Sequence, residues 1–161
     1  MGLFSLFNKK KKIELKAYLS GRLIHLEDVN DGVFSKKMMG EGIAIEPTSN
    51  ELLAPADGEV IVIMDKSFHA VGLKLKDQTE VLLHIGIDTV YMNGDGFTPH
   101  VKVGDHVKTG QKLITFDRDK IKKAGYRDVT VLAITQEGNQ GSIHFIEPIC
   151  VNANDTIISQ L

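Results

Sequence analysis

Val81-Leu82-Leu83-His84-Ile85-Gly86-Ile87 is an apolar run rich in β-branched residues, the composition of a strand buried on both faces, and it carries an imidazole in its middle. A second imidazole, His69, stands fifteen positions earlier in Phe68-His69-Ala70-Val71-Gly72-Leu73. Between them, Leu75-Lys76-Asp77-Gln78-Thr79-Glu80 is a polar break suited to a hairpin turn. With Asp77-Gln78 as a two-residue loop, Lys76 faces Thr79, Val71 faces His84 and His69 faces Gly86. The two histidines are then diagonal neighbours on one face, their backbones roughly 7–8 Å apart, so both rings can converge on one small group. A four-residue loop keeps them on that face, whereas a three-residue loop without a bulge puts them on opposite faces.

Two histidines so placed admit three readings. They are unrelated strand residues, each hydrogen-bonded to backbone. Or they belong to a zinc site, for which two ligands are too few and no HxH or HExxH spacing supplies the rest. Or they do phosphoryl chemistry, one imidazole carrying the group and the other steadying its oxygens. Imidazole suits that work because it is neutral and nucleophilic near physiological pH.

The segment His84-Ile85-Gly86-Ile87-Asp88-Thr89-Val90 is preceded by Ser67-Phe68-His69-Ala70, by Leu53-Ala54-Pro55-Ala56-Asp57-Gly58 and by Gly40-Glu41-Gly42-Ile43-Ala44-Ile45-Glu46-Pro47. In combination these resemble the glucose-type IIA component of the bacterial sugar phosphotransferase system, over about residues 13 to 161. The resemblance implies an antiparallel β-sandwich of the duplicated hybrid motif type. It also implies a division of labour in which His84 is phosphorylated through Nε2 while its Nδ1–H is held by a backbone carbonyl near Gly86. His69 then stabilises the phosphoryl oxygens and Ser67, where relatives generally carry threonine, orients His69. No metal or other cofactor is implied.

Docking residues follow from the same resemblance. Val33, Phe34, Met39 and Ile85 match a shallow apolar depression, and Asp31 and Asp88 an acidic rim that speeds encounter with a basic donor surface. The alternative for Phe34 and Met39 is simple core packing, which periodicity cannot separate from docking in a sandwich. The expected donor is the histidine-containing phosphocarrier protein, and the expected acceptor a cysteine on a sugar-specific IIB domain of a membrane permease. With no fused IIB or IIC segment in the sequence, one such carrier is expected to serve several permeases. Two alternatives stand beside this: a regulatory phosphoprotein read by transporters or kinases, and a zinc hydrolase of related strand architecture.

The whole chain is consistent with that size and setting. Its 161 residues suit one domain with an ample core, and a formal net charge of −2 argues against nucleic acid as the main partner. The single cysteine, Cys150, excludes an internal disulfide framework and fits the cytoplasm. Its apolar neighbours Ile149 and Val151 suggest a small core residue. Residues 1–12 differ in character: Leu3, Phe4, Leu6 and Phe7 precede four lysines, too short a stretch to span a bilayer and without a cleavage-site pattern. Leu6 fails the myristoylation motif. This end is expected to be a flexible tail or to lie weakly on an anionic membrane surface, with the carrier domain at 13–161.

Short apolar runs recurring between Gly, Asp, Asn and Pro breaks predict an all-β sandwich or barrel. Strands are expected at 16–18, 21–26, 42–45, 59–64, 69–75, 81–87, 112–116, 129–135, 142–145 and 148–151. Short helical turns are expected at 35–39 and 119–124. Val103-Gly104-Asp105 to Leu113 is similar to the turn-rich segment of biotinyl and lipoyl carrier domains, but without a modifiable lysine in a Met-Lys-Met tip it reads as scaffold. His25, His100, His106 and His144 are read as solvated or satisfied strand residues.

Overall fold

Alternation of apolar and polar residues between tight turns gives a two-layer antiparallel β structure in the computed structural model, which describes residues 12–160. Most of the expected N-terminal tail therefore lies outside the described residues. The strands are β1 (Gly21–His25), β2 (Gly42–Pro47), β3 (Glu51–Leu53), β4 (Gly58–Ile63), β5 (Ala70–Leu75), β6 (Glu80–Ile87), β7 (Phe97–Pro99), β8 (His106–Val107), β9 (Lys112–Phe116), β10 (Arg127–Gln136) and β11 (Cys150–Val151). A short helix, α1 (Arg118–Lys123), separates β9 from β10. The larger sheet has the order β11-β1-β2-β10-β6-β5-β4-β8, and the smaller one β3-β9-β7.

Each strand of the large sheet sends alternate side chains to opposite faces. Leu23, Ile45, Leu73, Leu83 and Ile85 point inward and pack with Leu52, Leu113 and Phe116 of the small sheet to make the main core. Ile24, Ala44, Val131 and Ala133 point outward, where Leu26, Val29 and Phe34 cover them in a second, smaller cluster. Strand β10 lies between the two clusters and is buried from Val129 to Ile134. Strand β6, expected to be buried on both faces, is fully covered only on its inner one. Leu82 and His84 on its outer face remain partly exposed because the covering segment stops short of them.

Several expected boundaries shift. Segments 16–18 and 142–145 form isolated bridges rather than strands, Lys16 with Ile157 and Phe145 with Ser159. The amides at 16 and 17 bond to different segments, Lys16 N to Pro55 O and Ala17 N to Thr156 O, so no ladder develops. Strands β3, β7 and β8 were not expected, being too short to show a period. Residues 35–39 lie in a hydrogen-bonded turn, with Lys37 N donating to Phe34 O at 2.9 Å, and not in a helix. The helix near 119–124 begins one residue early because the Asp117 carboxylate caps it, accepting from Lys120 N. Cys150 is exposed rather than core: it stands opposite Arg22 on the edge strand β11, and alternation gives the buried place to Val151.

The β5–β6 register also departs from expectation. Leu75 N donates to Thr79 O at 2.8 Å and Ala70 stands opposite His84, so the loop is the three residues Lys76-Asp77-Gln78. Gln78 takes the left-handed φ of 74° that this loop requires, and Asp77 accepts from the amide and hydroxyl of Thr79. Regular alternation would then separate the two histidines. The backbone pairing reaches His69, whose carbonyl accepts from Ile85 N at 2.8 Å, yet its ring lies beside that of His84. His69 precedes β5 and follows Phe68, which takes a left-handed φ of 49°.

Candidate functional site

His84 sits on the outer face of β6 two residues before Gly86, whose φ of 73° makes a local left-handed turn where the β6–β10 register shifts. An L-side chain resists that conformation, which is why glycine stands there. The turn brings the Gly86 carbonyl to 2.8 Å from His84 Nδ1. A carbonyl only accepts, so Nδ1 carries the proton and Nε2 carries the free lone pair.

His69 is buried and lies edge-on to His84, with ring centroids 4.7 Å apart and an interplanar angle of 86°. Its Nδ1 is 2.8 Å from the hydroxyl of Ser67, itself buried. When Ser67 donates to Nδ1, His69 keeps its proton on Nε2, ready to donate to an anion. The pair then presents one lone pair and one N–H side by side, the complement of a phosphorus centre and its oxygen.

Burial makes both rings reluctant to charge. Desolvation, with the nearby His69 adding to it, depresses His84 from the ordinary imidazole value to about 4, against the opposing hydrogen bond to Gly86 and the negative charge of Asp31. Burial likewise lowers His69. At neutral pH the site thus holds two neutral imidazoles, with the Nε2 lone pair of His84 free.

Phe34 lies against His84, ring centroids 4.8 Å apart and tilted by 57°. Asp31 holds it there, its two carboxylate oxygens accepting from Phe34 N at 3.0 Å and Ser35 N at 2.9 Å. Burial alone would raise the Asp31 carboxyl, but these amide bonds outweigh it and the net shift is downward. Around the pair runs an open cleft of about 390 Å³ whose lining includes Asp31, Val33, Phe34, Met39 and Asp88. Val33 and Met39 are 43% and 40% exposed, whereas Phe34 is 7% exposed and belongs at once to the cleft and to the outer core cluster.

Ile85 does not belong to this surface. It is fully buried in the main core, because the residue after an outward-facing histidine on a strand must point inward. Its expected place in the cleft is taken by Met64, Leu82, Ile87 and Val90. Leu82 was legible in principle, two residues from His84 on the same face. Met64 comes from a neighbouring strand's end, which sequence spacing does not reveal. Among the described residues no three His, Cys, Asp or Glu side chains gather as a metal site, and none of the other histidines lines the cleft. A larger open depression of about 720 Å³ between Arg22, Glu46 and Arg118 holds no histidine.

The sequence model of the family described as phosphoenolpyruvate-dependent sugar phosphotransferase system, EIIA 1, matches residues 13–140. A protein named PTS system glucose-specific EIIA component, from Oceanobacillus iheyensis, is 40% identical over 151 residues, covering 94% of this chain and 91% of its own length. A PTS system mannose-specific EIIBCA component from Corynebacterium glutamicum is 40% identical over 146 residues, covering 91% of this chain but 21% of that protein. Among solved structures, the glucose permease IIA from Mycoplasma capricolum superimposes with a TM-score of 0.84 at 32% identity, covering 93% of this chain and 96% of that one. No helix among the described residues is long and apolar enough to cross a membrane. With sequence, fold and family agreeing over nearly its whole length, the chain belongs to the EIIA 1 family of the phosphoenolpyruvate-dependent sugar phosphotransferase system and is a phosphoryl-carrier component of it.

Proposed function

We propose that His84 is the residue that carries the phosphoryl group, with His69 as its electrostatic partner. The lone pair of His84 Nε2 attacks the phosphorus of a phosphohistidine on the histidine-containing phosphocarrier protein. The new P–N bond forms as the old one breaks, and the donor imidazole leaves with the electron pair. In the second transfer a cysteine thiolate of a IIB domain attacks the same phosphorus, a P–S bond forms, and His84 leaves with the P–N electrons. His69 Nε2–H donates to the phosphoryl oxygens in both steps, and the protein's contribution is positioning and electrostatics.

The observation that most directly supports this reading is the bond from His84 Nδ1–H to Gly86 O, which leaves Nε2 as the only nucleophilic nitrogen of that ring. Val33, Met39, Met64 and Val90 would form the apolar part of the docking surface, with Asp88 on its rim. Relatives at equal identity bear glucose-specific and mannose-specific names, so sugar choice is assigned to the permease partner. The carrier unit is taken as residues 13–161, with 1–12 a tail that is flexible or rests on anionic lipid; co-sedimentation with anionic vesicles separates the two.

The test is intact mass after incubation with phosphoenolpyruvate and the two general phosphotransferase proteins. Wild type is expected to gain one phosphate, labile to acid and stable to base. His84→Ala should gain none, and His69→Ala should gain it but fail to pass it to a IIB cysteine. A wild-type chain that takes no phosphate would sink the proposal.

A further inference from the structure

Thr89 follows His84 by five residues, and its side-chain hydrogen bond goes to the backbone of β6 and not to either imidazole. It opens the 3₁₀ turn Thr89–Met92 after β6 and is completely buried. Its hydroxyl donates to the Ile85 carbonyl at 2.5 Å. That carbonyl belongs to the peptide plane whose other end is the Gly86 nitrogen, so a bond to it fixes the plane from which Gly86 departs with its left-handed φ. The next carbonyl along the chain, Gly86 O, is the one that accepts from His84 Nδ1–H.

The methyl group of Thr89 does a separate job. A Cβ at position 86 would fall 2.5 Å from Thr89 Cγ2 and 2.7 Å from Arg127 O. Side chain and glycine are therefore packed in contact, and Thr89 braces the turn from one side while β10 closes it from the other.

Resting on the reading of His84 as the phosphoryl carrier, we propose that Thr89 is a positioning residue whose hydroxyl, through the Ile85–Gly86 peptide, aims the Gly86 carbonyl and so holds His84 in the Nδ1–H tautomer with Nε2 free to attack. Without that bond the peptide plane can rotate, the Gly86 carbonyl swings off Nδ1, and the imidazole proton is free to move to Nε2. The ring is then in the wrong tautomer for attack for part of the time.

The experiment pairs Thr89→Val, which keeps the shape and removes the hydroxyl, with Thr89→Ser, which keeps the hydroxyl and removes the methyl. Nitrogen NMR on histidine-labelled, unphosphorylated full chain reads the His84 tautomer, and phosphate transfer from the histidine-containing phosphocarrier protein gives the rate. Wild type and Thr89→Ser should show His84 as Nδ1–H alone. Thr89→Val should show a mixture containing the Nε2–H form, with transfer slower by about tenfold, the order expected when one positioning hydrogen bond is lost. A folded Thr89→Val with the wild-type tautomer and rate overturns the proposal. If Thr89→Val does not fold, Thr89→Ser decides: loss of the Nδ1–H tautomer there, with the hydroxyl still present, overturns it, and retention supports it. Should wild type take no phosphate at all, the carrier reading of His84 fails, while the tautomer comparison still decides the role of Thr89.

Discussion

The imidazoles of His69 and His84 meet edge to face, 4.7 Å between centroids, although strand alternation in the observed β5–β6 register would send them to opposite faces. The left-handed Phe68, immediately before His69, lies where the chain leaves that alternation. Burial is the main reason His84 resists charge, and the nearby His69 adds to it.

Burial of the two rings sets the pH behaviour. A free imidazole loses its lone pair to protonation near pH 6.5, but His84 should stay neutral down to about 4. Phosphate acceptance should therefore not fall as pH is lowered through 6.5. Between the ordinary value and the depressed one, the unfolded chain binds more protons than the folded one at both His69 and His84. Stability should thus decline as pH falls from 6.5 toward 4. An NMR titration of the His84 ring checks this directly; a midpoint near 6.5 would contradict it.

Gly86→Ala places a methyl group against Thr89 Cγ2 and Arg127 O at a φ of 73°. The strain should destabilise the fold by about 1–3 kcal/mol, and any relaxation must move the carbonyl that holds Nδ1. Thermal unfolding and phosphorylation rate should both report the change, and a variant normal in both would refute the role given to this turn.

Ser67→Ala removes the partner of His69 Nδ1 and lets that ring take either tautomer. Phosphate should still load on His84, while onward transfer slows by about tenfold. Ser67→Thr keeps the hydroxyl and should behave as wild type. Equal transfer by the alanine variant in a stopped-flow assay would show that Ser67 does not orient His69.

Asp31 was expected as a rim charge, yet both of its carboxylate oxygens hold the amides of Phe34 and Ser35. Asp31→Ala should cost about 1 kcal/mol, as losing a helix cap does, and free Phe34 from His84. The resulting change in transfer rate should vary little with ionic strength. A defect that disappears at high salt would instead mark Asp31 as a steering charge.

Ile85 and Val33 separate core from docking. Ile85→Val removes one methyl from the main core and should cost about 0.5–1.5 kcal/mol with transfer kinetics unchanged. Val33→Ala is exposed and should leave stability within about 0.5 kcal/mol while raising the KM for the donor protein. The reverse pattern would return Ile85 to the interface.

The sequence by itself determined which residues could do the chemistry and the kind of fold that holds them. His84 and His69 stood out because polar side chains are conspicuous in apolar runs, Ser67 came only with the family resemblance, and period-two patterning located most long strands. Tertiary structure decided what depends on left-handed residues and on distant segments. Phe68 and Gln78 set the register and the meeting of the two rings, and single-residue conformations of that kind leave almost no trace in an apolar–polar pattern. Whether an apolar residue is core or docking surface was likewise decided by what covers it. Ile85 and Val33 read alike in the chain, but one faces the opposite sheet and the other faces water.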